Sequence, residues 1–137
     1  MNKHTYLRAY MAGIVVPTIF LLVVVTGFSI FRYVYNVPVP IERIIMFPMA
    51  VVPNLWGLWN ILFIALHGKR NIPIGLHGAI LPLLLAPLGY FTSRILDFSI
   101  PHLILAGFPI GIVLAVILYY LVWKHLVGFL NAVLSIA

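Results

Sequence analysis

Not one of the 137 residues is cysteine, which excludes disulfides, thiolate metal sites and thiol redox relays. Acidic residues are almost as scarce, with Glu42 and Asp97 standing against eight Lys and Arg for a net charge of +6. Charged residues of both signs make up 7% of the chain, and none falls in the interior of a long apolar run. That absence bears on function, because proton- and sodium-coupled carriers use intramembrane ionisable groups. A small four-helix multidrug antiporter would need a carboxylate in its first span, and residues 9–31 hold none. Hydrolases and phosphotransferases need a paired acid and base or a metal cluster. Two single acids on separate links, each within three residues of an arginine, read instead as local ion pairs. The sequence therefore predicts no catalytic residue, no metal site and no enzyme.

What fills the chain is apolar: 64% of residues are hydrophobic and the mean hydropathy is +1.19, a surface that lipid dissolves better than water does. Four apolar runs, at about 9–31, 44–66, 72–92 and 100–123, each cross a hydrocarbon core of roughly 30 Å at about 1.5 Å per helical residue. The expected fold is an all-α membrane protein, one domain over residues 1–137, with four transmembrane helices in a compact bundle. Several of those helices are expected to be proline-kinked. The first run is too long for a secretory signal and has no small-residue cleavage site after it, so it reads as a retained span. Residues 124–137 are apolar but too short for a fifth crossing, and are expected to extend the last helix or to lie along the surface.

Basic residues orient the spans. Lys3, Arg8, Lys69, Arg70 and Lys124 share one side, against Arg32, Arg43 and Arg94 on the other, which places both termini in the cytoplasm. Phe31, Tyr33 and Tyr35 near one interface, and Tyr119, Tyr120 and Trp123 near the other, have the composition of aromatic belts. The chain resembles, in general look, the small basic four-span proteins of bacterial inner membranes, a class too broad to transfer sites from. Its positive charge anchors it in a membrane; no basic stripe stands on a polar domain, and no nucleic-acid partner is expected.

Prolines at 17, 48, 53, 82, 87, 101 and 109 remove backbone donors that hydrocarbon cannot replace. Pro48/Pro53 and Pro82/Pro87 make the second and third spans the expected places for kinks or breaks, which in transporters line substrate sites. The second span also carries the most polar stretch inside any span, with Asn54, Trp56, Trp59 and Asn60. Trp56 and Trp59 lie roughly 10–15 Å below the basic turn His67–Asn71, too deep for belt residues. Trp56, Asn60 and His67 recur at near-helical spacing and are expected on one stripe. His77 in the third span has a depth similar to that of Asn60, so an Asn60–His77 contact across the hairpin is expected. The bland role of such a contact is an interhelical clip worth about 0.6–2 kcal/mol. Its functional role is a pocket with Lys69 and Arg70 at the mouth and Trp56, Trp59 and Tyr119 as walls. Such a pocket suits a lipid or an amphipathic anion such as a polyprenyl-phosphate head.

Gly107 and Gly111 match the small-xxx-small pattern of close helix approach, interrupted by Pro109. Faint similarity between the links at 31–41 and 91–101 leaves room for a duplicated two-helix unit. The first functional reading is a non-catalytic integral membrane protein, an oligomeric or accessory subunit of a membrane complex, binding lipid between spans two and three without a cofactor. Its partners are membrane lipids and either itself or a larger membrane protein. An alternative is a small carrier or flippase for a lipid-linked or small organic substrate. A third is a haem or quinone-type electron-transfer anchor, in which His67 or His77 faces His125.

Overall fold

The computed structural model describes residues 4–38, 41–44, 50–67, 69–97, 99–100 and 102–136. Lys3, Pro40, Pro48 and Pro101, which enter the expectations above, lie outside the described residues, as do residues 45–49 of the second run and the side chain of Arg43. The described residues form helices and no strands, as hydrocarbon requires of a chain that must satisfy its own backbone. Helix α1 is Thr5–Tyr33, α2 is Ile41–Ile44, α3 is Val52–Leu66 and α4 is Ile74–Ile95. Helix α5, His102–Val122, passes through a π-helical turn, Trp123–Val127, into α6, Gly128–Val133. Among the described residues, three helices are long and apolar enough to cross a membrane: α1, α4 and the continuous helix His102–Val133. Helix α3 is apolar but has 15 residues, about 22 Å of rise, which falls short of a hydrocarbon core by itself.

The chain divides into two compact units, Met1–Ile61 and Leu62–Ala137, with the division inside α3. In the first, α1 runs unbroken through the buried Pro17. It ends at Tyr33, and in the link beyond it Asn36 takes a left-handed φ of 54°, a conformation that Asn tolerates better than most residues. Arg32 in its last turn meets Glu42 of α2 at 2.6 Å. Glu42 thus forms an ion pair within its own link, with Arg32 as the described partner. The chain folds back after α1, so the partner comes from ten residues away. The hydrogen bond from Arg32, aided by its charge, holds the Glu42 carboxyl below the ordinary carboxylate value. Helix α3 begins at Val52 with Pro53 in its first turn, where the missing N–H has no intrahelical partner to lose.

In the second unit, α4 runs from Ile74 to Ile95 without interruption through Pro82 and Pro87, so of the kink or break expected in the third span, the break is not seen. Pro73 precedes its first turn and Asp97, at φ 56°, follows its last. Helix α4 packs along α5 and the π-turn, and it carries the buried core of this unit, including Gly75, His77, Gly78, Leu81 and Leu85. By contrast, α5 buries none of its residues.

The last helix continues past Lys124, one of the two outcomes expected for the C-terminal extension. Its π-turn is closed by the Gly128 N–H donating to the Trp123 carbonyl. In a straight α-helix, residues eight apart are rotated by about 80°. One extra residue in a wide turn cancels most of that rotation, so Trp123, Val127 and Asn131, all fully buried, share a single stripe. At the C-terminal end, Ser135 at φ 57° closes the helix, with its N–H bonded to Ala132 O and that of Ile136 to Asn131 O, both at 3.0 Å. This pair of bonds is a Schellman cap with serine in the usual glycine place.

Candidate functional site

The predicted polar stretch of the second span is assembled in the first unit against α1. Gly13 and Gly57 set the distance. A Cβ on Gly13 would stand 2.6 Å from the Trp56 carbonyl oxygen and 2.8 Å from Gly57 Cα, so only glycine lets the two backbones meet. A Cβ on Gly57 would enter the Tyr10 ring at 2.5 Å. This approach buries Asn60 completely and brings its Nδ2 to 2.7 Å from the Ala9 carbonyl. Trp56 is buried beside it, and Trp59 is half-buried. Asn54 accepts a hydrogen bond from the Tyr10 hydroxyl and donates to Ala50 O at 2.7 Å. A cavity of about 230 Å³ opens here, lined by Tyr10, Ile14, Thr18, Leu21, Pro53 and Asn54.

Sequence reasoning placed Asn54 at the site and missed Tyr10 and Thr18. A signal was present in the run Ala9-Tyr10-Met11-Ala12-Gly13. Three small residues at the start of an otherwise bulky span mark a face prepared for close helix contact. His67 leaves the expected stripe, because α3 ends at Leu66 and His67 is exposed.

The remaining predicted residues belong to the second unit. Lys69 and Arg70 are exposed, and both of their amide N–H groups donate to Leu66 O at 2.9 Å, which fixes the turn that carries them. His77 is 4% exposed, with its ring centroid 5.4 Å from Phe63 and 5.9 Å from Trp123 in an edge-on arrangement. Trp123 reaches it across Gly78, where a Cβ would lie 2.0 Å from Trp123 Cγ. Tyr120 packs on Gly75 in the same way, while Tyr119 is half-buried. These contacts bring Lys124 level with the first turns of α4, its Nζ 5.8 Å from the Tyr120 ring centre. Lys69, Arg70 and Lys124 therefore gather at one end of the unit.

For the haem expectation, His77 lies against Trp123 and Phe63, and His67 and His125 are exposed. Among the described residues, no three His, Asp or Glu side chains come together as a metal would require. At the other end of this unit Ser93, Arg94, Asp97 and Ser99 line an open cleft of about 480 Å³. Compared with known proteins, no family model matches the chain, and no curated protein and no solved structure is significantly similar to it.

Proposed function

We propose that this chain is an integral protein of a bacterial inner membrane. It crosses the bilayer four times with both termini in the cytoplasm, and it serves as a non-catalytic oligomeric or accessory subunit that binds lipid. The observation that carries the reading is the last helix. His102–Val133 is apolar over 32 residues, and none of the 21 residues of α5 is buried. Leu103 is 84% exposed and Ile110 71%. A surface of this kind needs lipid or a protein neighbour along its whole length.

The cationic end formed by Lys69, Arg70 and Lys124 supports headgroup binding. Each Lys or Arg at an anionic leaflet contributes about 1 kcal/mol, and Tyr120 beneath Lys124 supplies an interfacial ring. An amphipathic anion would place its charge at this end and its chain along α5. Native mass spectrometry from mild detergent tests the reading. An oligomer or a co-purifying subunit with retained lipid is expected, and a lipid-free monomer contradicts it.

A further inference from the structure

The cavity of the first unit differs in character from the cationic end, since none of the six described residues that line it carries a charge. Tyr10, Ile14, Thr18 and Leu21 follow one another at spacings of four, four and three, which keeps them on one stripe of α1. That stripe extends for about 16 Å, starting about 8 Å from the beginning of the helix, so the cavity lies at membrane depth and whatever enters it comes from the bilayer.

Its wall alternates chemically. Tyr10, Thr18 and Asn54 supply polar atoms, while Ile14, Leu21 and Pro53 supply apolar surface. Each polar group has capacity left over. Asn54 uses one N–H on Ala50 O and one lone pair on the Tyr10 hydroxyl, leaving a second N–H and a second lone pair. The Tyr10 oxygen donates its proton and can still accept.

Thr18 is the most telling. Thr26, Ser29, Thr92 and Ser93 each return their hydroxyl proton to a carbonyl of the preceding turn, at 2.7–2.8 Å, the usual arrangement for hydroxyls in apolar helices. Among the described residues the Thr18 hydroxyl makes no such bond and instead lines the cavity. An unmet hydroxyl in hydrocarbon is costly, so a partner entering the cavity would gain a hydrogen bond that the chain itself does not form.

We infer that this cavity binds an uncharged lipid bearing a hydroxyl group, of diacylglycerol or prenol type. Thr18 and the spare Asn54 N–H donate to its oxygens, and the Tyr10 oxygen accepts from its hydroxyl. A cavity of about 150 Å³ holds benzene, so 230 Å³ takes the glycerol-ester region or the alcohol end, with the chain running along the α1 stripe. Anionic phospholipid is disfavoured because no cation lines the cavity among the described residues to offset desolvation of its charge. This inference rests on the lipid-binding part of the function proposed above and not on its oligomeric part.

The test uses the full-length protein in nanodiscs with diazirine-bearing diacylglycerol, diazirine-bearing farnesol and diazirine-bearing phosphatidylglycerol, followed by peptide mapping. Labelling of residues 10–21 or 50–54 by either neutral probe in excess of the phosphatidylglycerol probe is expected, and the stronger of the two identifies the source. Thr18→Val should lower that labelling about three- to tenfold, the loss of one hydrogen bond. Thr18→Ser should retain it, and Ile14→Trp, which fills the cavity, should abolish it. Equal labelling by the phosphatidylglycerol probe, absence of neutral-probe labelling from these segments, or labelling unchanged in Ile14→Trp would overturn the inference. Lipid retained in native mass spectra alongside any of these results would leave the broader lipid-binding reading standing.

Discussion

Substituting Gly78 by alanine puts a single methyl group where the structure has no room for one. Its Cβ would stand 2.0 Å from Trp123 Cγ and 2.4 Å from Trp123 Cβ, where ordinary van der Waals contact begins at 3.4 Å. These atoms are the root of a fully buried side chain, not its flexible end, so relief requires α4 and the π-turn to separate. Overpacking of this kind costs about 1–3 kcal/mol. The helix-propensity gain of alanine over glycine offsets at most about 1 kcal/mol, and less in a bilayer, where separated helices remain helical.

The net expectation is a loss of about 1–2 kcal/mol, on the order of 5 °C in melting temperature. Gly107→Ala is the matched control, with the same chemistry in a long apolar helix where, among the described residues, a Cβ meets nothing within 4 Å. It should melt at or slightly above the unmodified protein. Thermal unfolding in detergent followed by tryptophan fluorescence reads both, with Trp123 as the local reporter. If Gly78→Ala melts no lower than Gly107→Ala, the argument that α4 and Trp123 are locked by the absence of a side chain is wrong.

Asn60→Ala removes the buried bond to Ala9 O and should cost roughly 0.6–2 kcal/mol in the same unfolding assay, while Asn54→Ala, at an exposed position, should cost less; the reverse order would count against the α1–Asn60 packing. Glu42 should titrate below its ordinary value of about 4.3 in carboxyl NMR, and Arg32→Gln should return it there. Because the folded value is the lower one, the stability this pair contributes is present above about pH 4.3 and fades as acid takes the carboxylate through its lowered value. A Glu42 midpoint unchanged by Arg32→Gln would refute the pairing.

Long apolar runs fixed the helices well in advance. The runs at 9–31, 72–92 and 100–123 correspond to Thr5–Tyr33, Ile74–Ile95 and His102–Val122, because backbone satisfaction in hydrocarbon leaves little choice but helix. Which face of each helix packs was not legible. A span that is apolar all round has no polar side to subtract, so hydropathy did not mark Ala9 and Tyr10 as the partners of Asn60 and Asn54. The clue lay in small residues, whose meaning depends on what stands opposite: Gly13 and Gly78 admit a backbone and an indole, whereas Gly107 and Gly111 meet nothing among the described residues. The π-turn left no mark either, since its purpose emerges only when Trp123, Val127 and Asn131 fall into register. Pro53 was legible as a backbone interruption, but its position in the first turn of α3 makes it a helix start instead of a kink.

Four crossings with both ends on one face is the claim on which the rest depends, and a chain without cysteine makes it directly measurable. Single variants His4→Cys, Ser99→Cys and Ser135→Cys, treated with a membrane-impermeant maleimide in right-side-out vesicles, should label at Ser99→Cys before permeabilisation. His4→Cys and Ser135→Cys should label only afterwards. Labelling that places His4 and Ser135 on opposite faces would contradict the account.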